Sequence, residues 1–285
     1  MKPSLTPRRR ALPPRGDPVE NVNRYRSIFL SDMHLGTRGC QAPLILDFLK
    51  YNDADCYFLV GDIIDGWRMR ASFYWPQAHN DVIQKLLRKV RRGARMVFVP
   101  GNHDEFARQF IGLSFGGVEI VRNVMHTTAD GRKFLVMHGD EFDVVVRHSK
   151  WLAFLGDWAY DAAIFINTHF NAVRRWFGFG YWSFSAWAKF KVKNAVNFIG
   201  CFEEQLAGEA RRRGADGIIC GHIHHPTIRK IDGITYVNTG DFVESCSLVV
   251  EHQDGRLEVK YWSKPFAGQA LVVSKDRIEA EAEAA

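Results

Sequence analysis

The sequence predicts an α/β fold, and three observations carry that prediction. Short apolar runs alternate with segments of helical period, the pattern of a sheet flanked by helices. Each strand-like run is apolar throughout, as strands covered on both faces are. Late in the chain two such runs meet at a polar turn, an antiparallel pair that makes the sheet mixed or splits it into a sandwich of two.

The elements follow in order. "YRSIFLSD" from Tyr25 reads as a strand that runs into polar residues. "QAPLILDFLKYN" has helical spacing, and "DCYFLVGD" is a second strand ending in Asp. "PQAHNDVIQKLLRKVRRG" is an amphipathic helix with proline at its start and glycine at its end. "ARMVFVPGNHD" repeats the strand-to-polar event, as do "RKFLVMHGD", "GADGIICGHIH" and "GITYVNTGD". "SCSLVVEHQDGRLEVKYW" is the hairpin, turning at Gln253 to Gly255. Between about Glu141 and Arg213 the pattern breaks. That stretch is helical in period, rich in aromatics and bases, and is expected to form a cap inserted between two strands.

Composition bounds the rest. The chain has 285 residues, 46% hydrophobic and 25% charged, values ordinary for a water-soluble globular protein with one large domain. Residues 1–24, Pro- and Arg-rich, are expected to be a disordered basic tail, residues 25–270 the folded domain, and 271–285 an acidic peripheral tail. The five scattered cysteines contain no CxxC pair, which favours a reducing compartment. No apolar stretch is long enough to span a bilayer and the N-terminus lacks a signal-peptide core, so the expectation is a cytoplasmic protein. A net charge of +6 favours an anionic partner: nucleic acid, a phosphorylated metabolite or an anionic membrane surface.

Five strand ends share one design: "SDMHLG", "GDIIDG", "GNHDEF", "MHGDEF" and "GHIHHP". In open α/β sheets ligands lie beyond the carboxyl ends of the strands, so polar residues there converge. Asp32 and His34 are two apart and would share a face of extended chain, as would His222 and His224, with His225 turned away. Asp62, Asn102 and His138 complete seven oxygen and nitrogen donors without a cysteine. Taken alone, each block is ordinary turn chemistry. Together they exceed the three protein ligands of one open zinc site and suit two divalent ions sharing a carboxylate, with Mn²⁺ preferred and Fe²⁺ or Zn²⁺ as alternatives. His79 and His169 match no block and are expected to be structural.

In this order the blocks resemble the calcineurin-like metallophosphoesterases. The resemblance implies a sandwich of two mixed β-sheets flanked by helices, and it implies roles. Asp32, His34, Asp62 and His224 would hold one metal. Asp62 would bridge to a second, held also by Asn102, His138 and His222. His103 would act on the leaving group or the phosphate, and Asp65 would support the site. The chain also resembles the UDP-2,3-diacylglucosamine hydrolase family, which carries a helical lid after the "HGD" block and splits a pyrophosphate linkage. On that likeness Lys189, Lys193 and Asn194 fall where the lid meets the substrate's head. Where that family usually has arginine after the third block's Asn, this chain has His103, the general superfamily residue.

The cap weighs on the substrate. Its rings, among them Trp176, Trp182 and Trp187, are interleaved with Arg174, Arg175, Lys189, Lys191 and Lys193. Most such rings form a cap's own core, but so dense a mixture suits a lipid with an anionic head, or contact with the inner membrane's cytoplasmic face. The resemblance implies, as the expected substrate, a lipid-linked nucleotide sugar such as UDP-2,3-diacylglucosamine. The alternative is a soluble nucleotide, nucleic acid or another glycerolipid, although no dedicated nucleic-acid module appears.

Overall fold

The computed structural model describes residues 22–145 and 199–264. Residues 1–21 of the expected basic tail, the expected C-terminal tail, most of the expected cap, and Lys189, Lys193, Asn194 and His169 lie outside the described residues, while Asn23 and Arg24, counted with the tail, begin the first strand.

The chain folds into two mixed sheets packed face to face. The larger has the order β12-β11-β1-β2-β3-β5-β4. Strands β1 (Asn23–Leu30), β2 (Asn52–Val60), β3 (Arg95–Val99) and β5 (Val118–Ile120) run parallel. Strands β4 (Ser114–Phe115), β11 (Ser247–Glu251) and β12 (Leu257–Tyr261) are antiparallel additions at its two sides. The smaller sheet has the order β6-β7-β8-β10-β9. In it β7 (Lys133–Val136), β8 (Gly217–Cys220) and β10 (Ile234–Asn238) are parallel, and β6 (Val124–Thr127) and β9 (Thr227–Ile231) close the edges antiparallel. The predicted hairpin is β11–β12, closed at His252 and Arg256.

The continuous apolar runs have a physical reason. Side chains alternate across a strand. Phe29, Phe58, Val60 and Val97 point inward and meet Phe134, Val136, Ile219 and Val237 of the other sheet. Ile28, Leu30, Tyr57, Leu59 and Met96 point outward beneath Ile45, Phe48, Val82 and Leu86. These last four belong to helices α1 (Ala42–Tyr51) and α3 (Gln77–Arg91), and a six-residue helix, α2, spans Gly66–Ala71. The outer face of the smaller sheet is covered by helical residues 199–212 (α4), through Phe202, Leu206 and Ala210 on Leu135, Ile218 and Tyr236. Both faces of both sheets are therefore covered, and alternation in the sequence disappears. Among the described residues no helix is long and apolar enough to cross a membrane.

The packing also disposes of one histidine. His79 is buried beside Tyr74 and Trp75, and its Nδ1 accepts from the Gly36 amide at 3.0 Å, so it holds the first loop in place.

Candidate metal centre

All six parallel strands that carry a polar block end at the same edge of the sandwich. Asp32 and His34 follow β1, Asp62 and Asp65 follow β2, and Asn102 and His103 follow β3. From the smaller sheet His138 follows β7, and His222 and His224 follow β8. The donors gather in three overlapping groups: Asp32–His34–His224, His34–Asp62–His103 and Asp62–His138–His222, each with donor atoms within 4.8 Å of one another.

The local backbone is not what spacing alone suggests. Asp32 and His34 do not share a face of extended strand. Both are left-handed, with φ of 47° and 49°, as are Asp62 (54°), His222 (73°) and His224 (52°). Such a φ is uncommon outside glycine and costs of order 1 kcal/mol or more at each residue. Five of the seven non-glycine residues with this backbone, among the described residues, are candidate ligands. The loops thus turn each side chain back over its strand end. Glycines make room. A Cβ on Gly101 would collide with Asp62 Oδ1 and the His138 ring, and one on Gly221 with Asp32 Oδ2.

Hydrogen bonds fix the donors. Asp32 accepts from the His222 amide at 3.0 Å and lies 3.1 Å from His224 Nε2. Asp62 accepts from the His103 amide at 2.8 Å and lies 3.4 Å from His138 Nε2, long for a hydrogen bond. His138 Nδ1 is tied to the Val60 carbonyl at 2.9 Å, which turns Nε2 to the centre. His34 Nδ1 sits 3.1 Å from Asp65 and leaves Nε2 inward. Imidazole held at one nitrogen by an oxygen, with the other aimed inward, is how metal-binding histidines are oriented.

Three buried atoms aimed into this space have no hydrogen-bond partner: His34 Nε2, Asn102 Oδ1 and His138 Nε2. A buried polar atom left unpaired costs about 1–3 kcal/mol. Two imidazole nitrogens and one amide oxygen beside two buried carboxylates form a cavity suited to cations. The charges agree. Burial alone would raise the Asp62 carboxyl, yet His138 and His103 hold it well below the usual range. Burial alone would lower His138, yet Asp62 and Asp32 lift it to about 10. The donor set therefore fits divalent ions, which would take the place of that proton.

His103 is half-buried at the mouth. Its Nδ1 is 3.0 Å from Asp65, its Nε2 is 4.0 Å from Asp62 Oδ2, and the Trp67 ring lies over it at 4.5 Å. Beside the centre Arg108 pairs with Asp140 at 2.6 Å, tying the turn after β3 to the loop after β7.

Two supporting residues escaped the sequence reading. Asp104 is fully buried and accepts from the Gly101 and Ile63 amides at 2.6 and 2.8 Å, so it clips two loops together. Burial and the Asp62 charge push its carboxyl up to about 6. Its signal was its place in the "GNHD" block. Asp241, after β10, is buried and accepts from Val243 N and Ser245 Oγ, both at 2.7 Å. It was legible as one more strand ending in Asp.

The class follows from sandwich, strand-end loops and donor set. A family profile described as calcineurin-like phosphoesterase matches residues 25–226, and the chain belongs to that family. It is a hydrolase of phosphoesters, in a family that works with divalent metal ions. Among individual relatives, a UDP-2,3-diacylglucosamine hydrolase of Blochmanniella pennsylvanica is 28% identical over 119 residues, 40% of this chain and 46% of that protein. Another of that name, from Xanthomonas campestris pv. campestris, is 25% identical over 253 residues, 80% of this chain and 96% of that protein. A solved archaeal phosphodiesterase aligns over 82% of this chain and 98% of its own at 12% identity and a TM-score of 0.39, too slight a likeness to add to the assignment.

Proposed function

We propose that this chain is a two-metal hydrolase of a pyrophosphate or phosphodiester bond in a lipid-linked nucleotide sugar, of the type of UDP-2,3-diacylglucosamine. The observation that carries the two-metal reading is the trio of unpartnered buried atoms, His34 Nε2, Asn102 Oδ1 and His138 Nε2, around the Asp32 and Asp62 carboxylates. In this reading Asp32, His34, Asp62 and His224 hold one ion. Asp62, Asn102, His138 and His222 hold the other, with Asp62 shared. A set of carboxylate, amide and imidazole suits Mn²⁺ first, then Fe²⁺ or Zn²⁺. When bound, such ions neutralise phosphoryl oxygens and lower the pKa of water toward neutrality.

The chain's own residues do the rest. Asp65 lies beside both His34 and His103 and caps α2 through the Arg68 amide, so one carboxylate sets two rings. That turns His103 Nε2 toward the centre, where it steadies the phosphoryl oxygens or gives a proton to the leaving oxygen. The Trp67 ring, 4.5 Å from the His103 ring and tilted to it, limits its rotation.

The lipid-linked substrate is supported by the names of the two relatives and by the aromatic and basic stretch about 141–213, to which Lys189, Lys193 and Asn194 belong. The proposed working place is the cytoplasmic face of the inner membrane. Release of UMP from UDP-2,3-diacylglucosamine, beside turnover of bis-p-nitrophenyl phosphate and single-stranded DNA, tests the substrate. Preference for the diacylated nucleotide is expected. Hydrolysis of DNA or the small diester with no turnover of the lipid would overturn the lipid reading.

A further inference from the structure

One surface takes no part in this chemistry. It runs along the β4 edge of the larger sheet. Ile111 is in the wall of the cavity beside His138, with Pro100 and Met137. From there the chain passes down the edge, paired to β5 by Gly112 N to Ile120 O and Ile120 N to Leu113 O. Leu113 and Phe115, two apart where the chain enters β4, share one face, and Ile111 precedes them across a turn through left-handed Gly112, closed by Leu113 N on Phe110 O at 3.0 Å. They are 40%, 53% and 54% exposed, far from buried for large apolar side chains. At the end of the hairpin Gly116 approaches Leu87 of α3, itself 37% exposed. The apolar strip thus continues from the cavity wall to the helix.

There it meets bases. Gln84, Leu87, Arg88 and Arg91 are exposed at spacings of three, four and seven along α3, with Arg92 next. None of Lys85, Arg88, Arg91 and Arg92 has a carboxylate partner among the described residues. Of the acids around the helix, Asp53 pairs with Lys89 at 3.2 Å and Glu119 with Arg95 at 2.8 Å, and Asp81, one turn before Lys85, accepts from Gln77 at 2.8 Å. The Lys85 ammonium is held below its usual range, first by burial and then by Lys89, Arg88, Arg92 and Lys50. These cations repel one another, and an external anionic surface relieves that repulsion.

We propose that this edge, Ile111, Leu113, Phe115 and Leu87 flanked by Arg88, Arg91 and Arg92, docks on an anionic lipid bilayer. Rings and aliphatic side chains enter the headgroup boundary while arginines meet lipid phosphates, the combination that holds peripheral proteins on membranes. Nucleic acid would reward the arginines but not the exposed leucine and isoleucine side chains. Docked edge-on, the molecule sets the cavity wall at Ile111 against the membrane. The benefit to catalysis rests on the lipid-linked reading above, but docking itself is measured without turnover, so the two can fail separately.

The test is co-sedimentation of the full chain with phosphatidylglycerol–phosphatidylcholine vesicles and with phosphatidylcholine alone. Binding to the anionic vesicles that weakens with salt is expected. R88Q/R91Q should lower the partition coefficient about 25-fold, at about fivefold per arginine. Leu113→Ser with Phe115→Ser should lower it about tenfold or more. Both variants should keep the wild-type melting temperature and the wild-type rate on bis-p-nitrophenyl phosphate. Wild-type partition in both variants overturns the proposal. So does a stable dimer in light scattering that the Leu113/Phe115 variant dissociates, since the strip would then pair two chains. Retention of duplex DNA, lost in R88Q/R91Q and kept in the serine variant, would assign the arginines to nucleic acid instead.

Discussion

His103 carries the sharpest claim at the level of single residues. It bonds the Asp62 carboxylate through its backbone amide, and its ring, 4.0 Å from Asp62 Oδ2, is not among the proposed ligands, so its side chain can be removed without removing one of them. His103→Ala should keep its metal content and lose about 10²- to 10⁴-fold in kcat, the range of one acid–base group. The loss should shrink for an ester with a nitrophenolate leaving group, which needs no proton. Equal losses for good and poor leaving groups would leave His103 an electrostatic role alone. Gly101 makes a second case. Gly101→Ala should fold but bind metal poorly, because the new methyl occupies the space of Asp62 Oδ1 and the His138 ring. Elemental analysis against a melting curve separates lost metal from lost fold. At this scale the sequence was legible in identity and not in conformation. The polar blocks named Asp32, His34, Asp62 and the rest. Nothing in them announced that five of these residues sit in left-handed backbone, because their side chains are held there by contacts from other strands.

The long strands and helices were legible because each must bury a continuous apolar surface. β1, β2, β3, β7, β8 and β10 each announce themselves as an apolar run ending in a polar block. The short edge elements did not. β4 and β5 have two and three residues, and β9 at the sheet edge sets Arg229 and Lys230 side by side between its isoleucines, so no period can build. They exist because a neighbouring strand offers its hydrogen bonds. One inter-element tie gives a pH prediction. Glu251 of β11 is fully buried and bound by Ser27 of β1 at 2.7 Å, His126 of β6 at 2.7 Å and Arg26 at 2.5 Å. Burial pushes its carboxyl up, but His126, Ser27 and Arg26 outweigh it and bring it below the usual 4.5. A carboxyl lowered on folding stabilises fully above the unfolded value and loses that contribution as pH falls through the folded one. Glu251→Gln should therefore melt well below wild type at neutral pH, and the gap should narrow below about pH 4.5. A gap that stays constant into acid would mean that the charge contributes nothing.

For the whole molecule, the division of labour follows from topology. Two sheets each bring parallel strands to one edge, and the candidate centre needs both: Asp32, Asp62 and Asn102 from one, His138, His222 and His224 from the other. Sandwich packing and site assembly are one event. A large cavity in the shared core should loosen both. Phe134→Ala, which empties the space between the sheets, should cost about 3–5 kcal/mol of stability. It should also weaken metal retention although Phe134 touches no proposed ligand; calorimetry with metal titration reads both, and unchanged metal affinity would separate site from core. That two mixed sheets pack face to face was legible through the family resemblance of the strand-end blocks and the late hairpin, not through the apolar runs themselves, since the partner of an apolar face is set only when both sheets exist.

The central claim is a two-ion centre with Asp62 shared between the ions. Metal content per chain, measured by elemental analysis on purified wild type, Asp32→Ala, His222→Ala and Asp62→Ala, tests it most directly. Two ions in wild type, one weakened in each of the first two variants, and none retained in Asp62→Ala are predicted. Two ions per chain persisting in Asp62→Ala would contradict the account.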